Sequence, residues 1–187
     1  MSKKIAVLVG SLRKASINRK FAHELVALAP ATLEFEFLDT GALPLYNQDL
    51  DDEGQPPAAW SEFRQKMAAV DGVLFVTPEY NRSIPANLKN VIDVGSRPAG
   101  KSIWGHKAVG VVSCSPGAIG GFGANHHLRQ TMVSLNAPVM PAPEAYIGGA
   151  DKLLDDAGKV NNDKTREVLG KFMAAFASWV ETNGPKG

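Results

Sequence analysis

Three short, unbroken apolar runs set the strongest limit on what this chain can fold into. Residues 5–9 (IAVLV), 72–77 (GVLFVT) and 108–113 (AVGVVS) show no alternation of polar and apolar side chains. That is the pattern of strands buried on both faces. Between and after them, apolar residues recur at helical spacing. Residues 18–28 carry Phe21, Ala22, Leu25 and Leu28, and residues 59–70 carry Trp60, Phe63, Met67 and Val70. Residues 86–94 follow Pro85, a good first-turn residue. Residues 166–181 close the chain with Val168, Leu169, Phe172, Met173, Phe176 and Val180 on one face. Residues 35–38 sit among Glu34, Glu36 and Asp39 as a half-exposed strand does. Residues 126–135 read as a helix and 138–145 as holding a short fifth strand, while the polar stretch 148–164 reads as a surface loop.

Strands alternating with helices must run parallel, joined by right-handed crossovers, so helices cover both faces of the sheet. Five strands in 187 residues predict an α/β three-layer sandwich in one domain over residues 1–187. The expected sheet is parallel, with the flavodoxin-like order 2-1-3-4-5 and a ligand crevice at the carboxyl ends of strands 1, 3 and 4. With a net charge of +1, the chain offers no overall field for nucleic acid or an anionic membrane. Its one cysteine, Cys114, excludes an intrachain disulfide and any CxxC redox or zinc site. No apolar stretch approaches the ~20 residues of a membrane span. The expected location is cytoplasmic, with no signal peptide ahead of the first strand.

The first strand runs into "GSLRKASIN", residues 10–18. This is not a dinucleotide fingerprint, which needs three glycines, nor a Walker loop, which needs Gly-Lys-Ser/Thr. It is not a low-molecular-weight phosphatase loop, because Gly120 stands where Cys114 would require an arginine. Nor do acidic residues follow Val9, as a phospho-accepting receiver domain would need. What remains is a loop that holds a phosphate without cleaving it. Amides at the entry to the next helix point at the anion and the helix dipole favours it. Ser11, Ser16 and Asn18 can donate side-chain hydrogen bonds, and Arg13 a charge-assisted one. Ser16 can equally cap the helix.

Two further motifs follow in order: "TPEYNRSIPANLKNVID" (residues 77–93) and "SPGAIGG" (115–121) with "LRQ" (128–130). Together with the first loop they resemble the NADPH-dependent FMN reductase family, which includes bacterial quinone, azo-dye and chromate reductases. The likeness covers nearly the whole chain. It implies non-covalent FMN, NADPH or NADH as donor, and hydride transfer through flavin N5 to small-molecule electron acceptors such as quinones, flavins, azo compounds or chromate, in ping-pong order. It also implies a homodimer or homotetramer. By that resemblance Ser11, Leu12, Arg13, Ser16, Ile17 and Asn18 hold the FMN phosphate end. Pro78, Glu79, Tyr80, Asn81 and Arg82 lie beside the isoalloxazine ring, with Ser115 and Gly117 on its other side. No side chain is expected as an obligatory acid or base, so Glu79 is read as positioning. The alternative is a flavodoxin-like electron carrier, but such carriers are strongly acidic and this chain is nearly neutral.

Other residues are read without the resemblance. Lys89 and Asp93, four apart on a helix, are expected to pair. Cys114 is expected as inert packing, and Arg129 as a partner of Glu144. His126 and His127 have no metal-ligating company at ligand spacing, so no metal site is expected. Arg82, Arg97 and Lys101 are expected around the cleft mouth as an attraction for anionic substrates or the nucleotide phosphate.

Overall fold

A computed structural model describes residues 2–185. The three apolar runs form the middle of its sheet as β1 (Lys3–Val9), β3 (Gly72–Thr77) and β4 (Ala108–Cys114). β2 (Leu33–Leu38) and β5 (Ala145–Ile147) are the edges. All pairings are parallel, and the order is β2-β1-β3-β4-β5, as the strand–helix alternation requires. The helices are α1 (Ile17–Ala27), α2 (Gln48–Asp52), α3 (Ala58–Ala68), α4 (Ala86–Gly95), α5 (Phe122–Ser134) and α6 (Asp163–Asn183). None among the described residues is long and apolar enough to cross a membrane.

The period of two along each strand divides the core. Ile5, Val7 and Val9 face Phe21 and Leu25 of α1 and Phe172 and Phe176 of α6. Ala6 and Leu8 face Trp60 and Phe63 of α3, Leu88 of α4 and Leu128 of α5. Each of the large side chains so buried contributes roughly 1.5–3 kcal/mol relative to exposure. Buried polar side chains enter the central strands only near their carboxyl ends, as Thr77 and Ser113, where Asn125 of α5 donates to Ser113 Oγ at 3.3 Å.

Three elements depart from the expected pattern. The fifth strand is Ala145–Ile147, later than residues 138–145. Pro138, Pro141 and Pro143 supply no amide to a ladder, so only an isolated Val109–Val139 bridge precedes it. α5 starts at Phe122, ahead of residue 126, because a distant carboxylate described below caps it. The polar stretch 148–164 contains a 3-10 turn at Ala150–Leu153, and Ala150 and Val160 are buried.

The long connection from β2 to α3 is strapped onto α4. Asn90 Oδ1 accepts from Tyr46 N at 2.9 Å, and its Nδ2 donates to the Leu43 and Pro44 carbonyls at 3.1 Å. Arg64 donates to both oxygens of Asp51 at 2.8 and 2.7 Å and, through Nε, to Val94 O at 2.9 Å. These hydrogen bonds from Arg64 hold the Asp51 carboxyl below the usual carboxylate range.

Candidate active site

In this topology β1 and β3 are neighbours whose chains turn away in opposite directions, which opens a crevice at their carboxyl ends. Three loops meet there: residues 10–16, 78–85 and 115–121. Gly10 lets the first two touch. A Cβ on it would lie 2.8 Å from Leu88 Cδ1, 2.9 Å from Thr77 Oγ1 and 3.0 Å from Pro78 Cδ.

In the first loop Ser11, Ser16 and Asn18 are buried, Ile17 is half-buried, and Leu12 and Arg13 are exposed. Ser16 is the N-cap of α1, its Oγ accepting from Arg19 N at 3.1 Å. A hydroxyl that accepts through a lone pair still has its proton to donate, so capping does not exclude a ligand. No acidic side chain sits in the first turn of α1, leaving the positive end of the helix dipole unopposed by a carboxylate. Asn18 does not turn its amide donor toward the loop. Its Nδ2 lies 3.4 Å from Cys114 O, tying the first loop to the third, and its buried Oδ1 has no hydrogen-bond partner among the described residues.

The second loop is a tight turn. Tyr80 and Ser83 exchange backbone hydrogen bonds of 3.1 and 3.0 Å across Asn81 and Arg82, whose φ angles are 51° and 64°. Positive φ at both central positions is the type I′ geometry. Asparagine tolerates it, while an arginine is strained there. Glu79 turns inward: its Oε2 accepts from Ala124 N at 3.1 Å, in the first turn of α5. The N-cap of that helix, Gly121, offers no side-chain bond, so Glu79 supplies the cap from another loop. Arg82 Nη1 is 3.4 Å from Glu79 Oε1, with its own side chain 75% exposed.

In the third loop Ser115 Oγ accepts from Gly117 N at 3.1 Å. The loop rests on Gly148, where a Cβ would fall 2.3 Å from Ala118 O. Each loop presents one exposed large apolar side chain: Leu12 at 56%, Tyr80 at 48% and Ile119 at 54%.

Loop order and chain-wide pattern then find a match. Residues 3–152 fit the family described as NADPH-dependent FMN reductase. The chain belongs to that family. Among its relatives, a quinone reductase of Pseudomonas putida is 59% identical over 179 residues, covering 96% of this chain and 95% of that protein. A 2-hydroxy-1,4-benzoquinone reductase of a Burkholderia species is 46% identical over 180 residues, covering 96% and 97%. FerB, a flavoenzyme NAD(P)H:(acceptor) oxidoreductase of Paracoccus denitrificans, superposes with a TM-score of 0.91 at 39% identity, covering 98% of this chain and 100% of that one. This FMN reductase family member is therefore an enzyme, and family membership makes FMN its cofactor and NAD(P)H its electron donor.

The three cations expected around the cleft mouth of this reductase lie on different segments. Arg82 sits in the second loop, and Arg97 lines a groove between α4 and α5 that also includes Ser83 and Ile84 of that loop. Residues 96–107 carry the chain from α4 to the start of β4, and helix-to-strand connections lie at the amino edge of a parallel sheet. Lys101 lies in that connection. Arg129 departs from expectation. It donates through Nε to Asn125 Oδ1 and through Nη1 to Met140 O, both at 2.8 Å, and is not paired with Glu144. Lys89 and Asp93 do pair, at 2.7 Å. His126 Nε2 is 2.9 Å from the Tyr146 hydroxyl and His127 Nδ1 is 3.0 Å from Ser83 Oγ. Cys114 is buried, and desolvation pushes its thiol well up. The sequence reading missed the contributions of Thr40, Asn87 and Gly148. Only the glycine pair at 148–149, an unusual doublet directly after a strand, offered a signal.

Proposed function

We propose that this enzyme is a quinone reductase whose FMN lies in the crevice between the three loops. The observation that carries this is the combination of an anion-ready first loop with an open rim of Leu12, Tyr80 and Ile119. Hydroxyls, a guanidinium and unopposed helix amides suit a phosphate ester, while the apolar rim suits planar rings. Ser11, Ser16 and Arg13 would hold the phosphate, with Leu12 and Ile17 in apolar contact. The orphan Asn18 Oδ1 is an acceptor that a hydroxyl of the ribityl chain would satisfy. Pro78, Glu79, Tyr80, Asn81 and Arg82 form one wall and Ser115 and Gly117 the other. At Gly117 a Cβ would meet nothing closer than Ser115 Oγ at 3.5 Å, which leaves the backbone open to a ring.

Bound FMN supplies the two-electron chemistry, accepting from NADPH or NADH and donating to the acceptor by turns, which gives ping-pong kinetics. The chain itself binds, orients and keeps the rim open to either substrate. Because Glu79 is committed to Ala124 N and to Arg82, it positions the second loop and does not carry a proton. Neutral planar acceptors, meaning quinones, free flavins and azo compounds, suit the apolar rim better than chromate, a small anion with no ring to lay on it. The flavodoxin-like carrier reading is disfavoured by the nearly neutral charge of the chain. We read the enzyme as a homodimer or homotetramer.

The test is direct. Purified protein should bind FMN with the yellow flavin spectrum and bind it more tightly than riboflavin. After reduction by NADPH or NADH and removal of the nucleotide, a benzoquinone should reoxidise it rapidly in a single turnover. Failure to bind FMN, or reoxidation by a small protein carrier but not by any quinone, would overturn the proposal.

A further inference from the structure

The peptide that opens the first loop is gripped at both ends. Its amide, Gly10 N, donates to Val76 O on β3 at 2.9 Å. Its carbonyl, Val9 O, lies past the last β1–β2 pair, Leu8 with Leu38. Side chains continue the ladder from there. Thr40 Oγ1 donates to Val9 O at 2.8 Å. Asn87 Nδ2, in the first turn of α4, donates to Thr40 Oγ1 at 2.8 Å and approaches Val9 O at 3.4 Å. Thr40 is 4% exposed, with its proton given to Val9 and a lone pair to Asn87. It is committed to the backbone.

With its carbonyl and amide both held, the Val9–Gly10 peptide plane is fixed, and so is the direction in which Ser11 departs. The other end of the loop is fixed by the Ser16 cap and by Asn18 on Cys114 O. An anion bound by several donors at once gains from donors already in place, because ordering them on binding costs affinity. We propose that Thr40, supported by Asn87, is a positioning residue that sets how tightly residues 10–18 take the phosphate of the cofactor, without touching it. This rests on the reading of that loop as the phosphate site.

The experiment measures FMN and riboflavin dissociation constants by flavin fluorescence on wild type, Thr40→Val, Thr40→Ser and Asn87→Ala, alongside apoprotein melting. Thr40→Val should weaken FMN by about five- to tenfold, the worth of one neutral hydrogen bond. Riboflavin affinity should stay essentially unchanged, and Thr40→Ser should restore FMN binding. An unchanged FMN affinity, or equal losses for both flavins, would overturn the inference, since a merely structural role weakens both alike. If Thr40→Val does not fold, Asn87→Ala decides: a smaller loss confined to FMN supports the inference, and equal or absent losses overturn it. A wild type that does not prefer FMN to riboflavin would instead refute the phosphate-site reading itself, a result distinct from the others.

Discussion

Removing the carboxylate of Glu79 should loosen α5 and leave the chemistry largely intact. α5 begins at a glycine without a capping side chain, and Glu79 Oε2 at 3.1 Å from Ala124 N takes that place. The side chain is only 11% exposed, so water does not readily replace it. A hydrogen bond to a charged group is worth about 1.5–3 kcal/mol, and the charge near a helix start about 0.3–1 kcal/mol. The ion pair with the exposed Arg82 adds close to nothing. Glu79→Ala should therefore destabilise the apoprotein by about 2 kcal/mol, or about 4–8 °C in Tm for a chain of this size. Glu79→Gln keeps an acceptor oxygen and should cost about 1 kcal/mol or less. Melts belong on the apoprotein, because bound flavin adds stability by mass action. Turnover measured with FMN saturating should be mostly retained in Glu79→Gln. A fall of about a thousandfold at full flavin occupancy, the size of an acid–base contribution, would refute the positioning role. An apoprotein of Glu79→Ala as stable as wild type would refute the cap.

Arg13→Ala should weaken FMN by about 1.5–3 kcal/mol, the worth of a charge-assisted bond, with riboflavin unaffected; equal losses on titration would remove Arg13 from the phosphate site. Arg82→Gly should raise apoprotein stability by up to about 1 kcal/mol, since glycine carries no penalty at positive φ. The same change should lower kcat/KM for chromate more than for a neutral quinone, by a margin that shrinks in added salt, whereas Lys101→Ala at the far edge should alter neither. A destabilised Arg82→Gly, or a matching loss in Lys101→Ala, would contradict the geometry. The Asp51 pair sets part of the acid stability: its folded pKa lies below the unfolded value, so its contribution is present above about pH 4 and disappears as pH falls through the lower folded value. Asp51→Asn should flatten that acid limb in denaturant titrations, and an unaltered slope would show the pair to be without effect.

Much of this molecule was legible from the chain because its signals were local. Continuous apolar runs of five or six residues, rich in valine, suit doubly covered strands, and their alternation with helices points to the order and handedness, hence the crevice. The three loops were equally readable, since each departs from a strand end. What escaped depended on contacts between distant segments. Nothing near residue 122 announces the start of α5, because its cap is Glu79. The start of the fifth strand depends on the amides missing at Pro138, Pro141 and Pro143, which apolar content alone does not reveal. Arg97 and Lys101 follow a helix and precede a strand, and no local signal says how far that connection reaches toward the crevice. Thr40 and Asn87 carry no motif, and only the fold brings them to Val9.

The burial of Cys114 bears on how long such an enzyme survives its own work. Quinones are electrophiles that alkylate thiolates by conjugate addition, and the reaction needs both access and ionisation. The chain has a single cysteine, 1% exposed at the end of β4, with its thiol held protonated by desolvation. Arylation of sulfur, the ordinary route by which quinones inactivate proteins, is thus closed while the fold is intact. After many turnovers the intact mass should show no quinone adduct on Cys114, whereas unfolding in the presence of quinone should produce one.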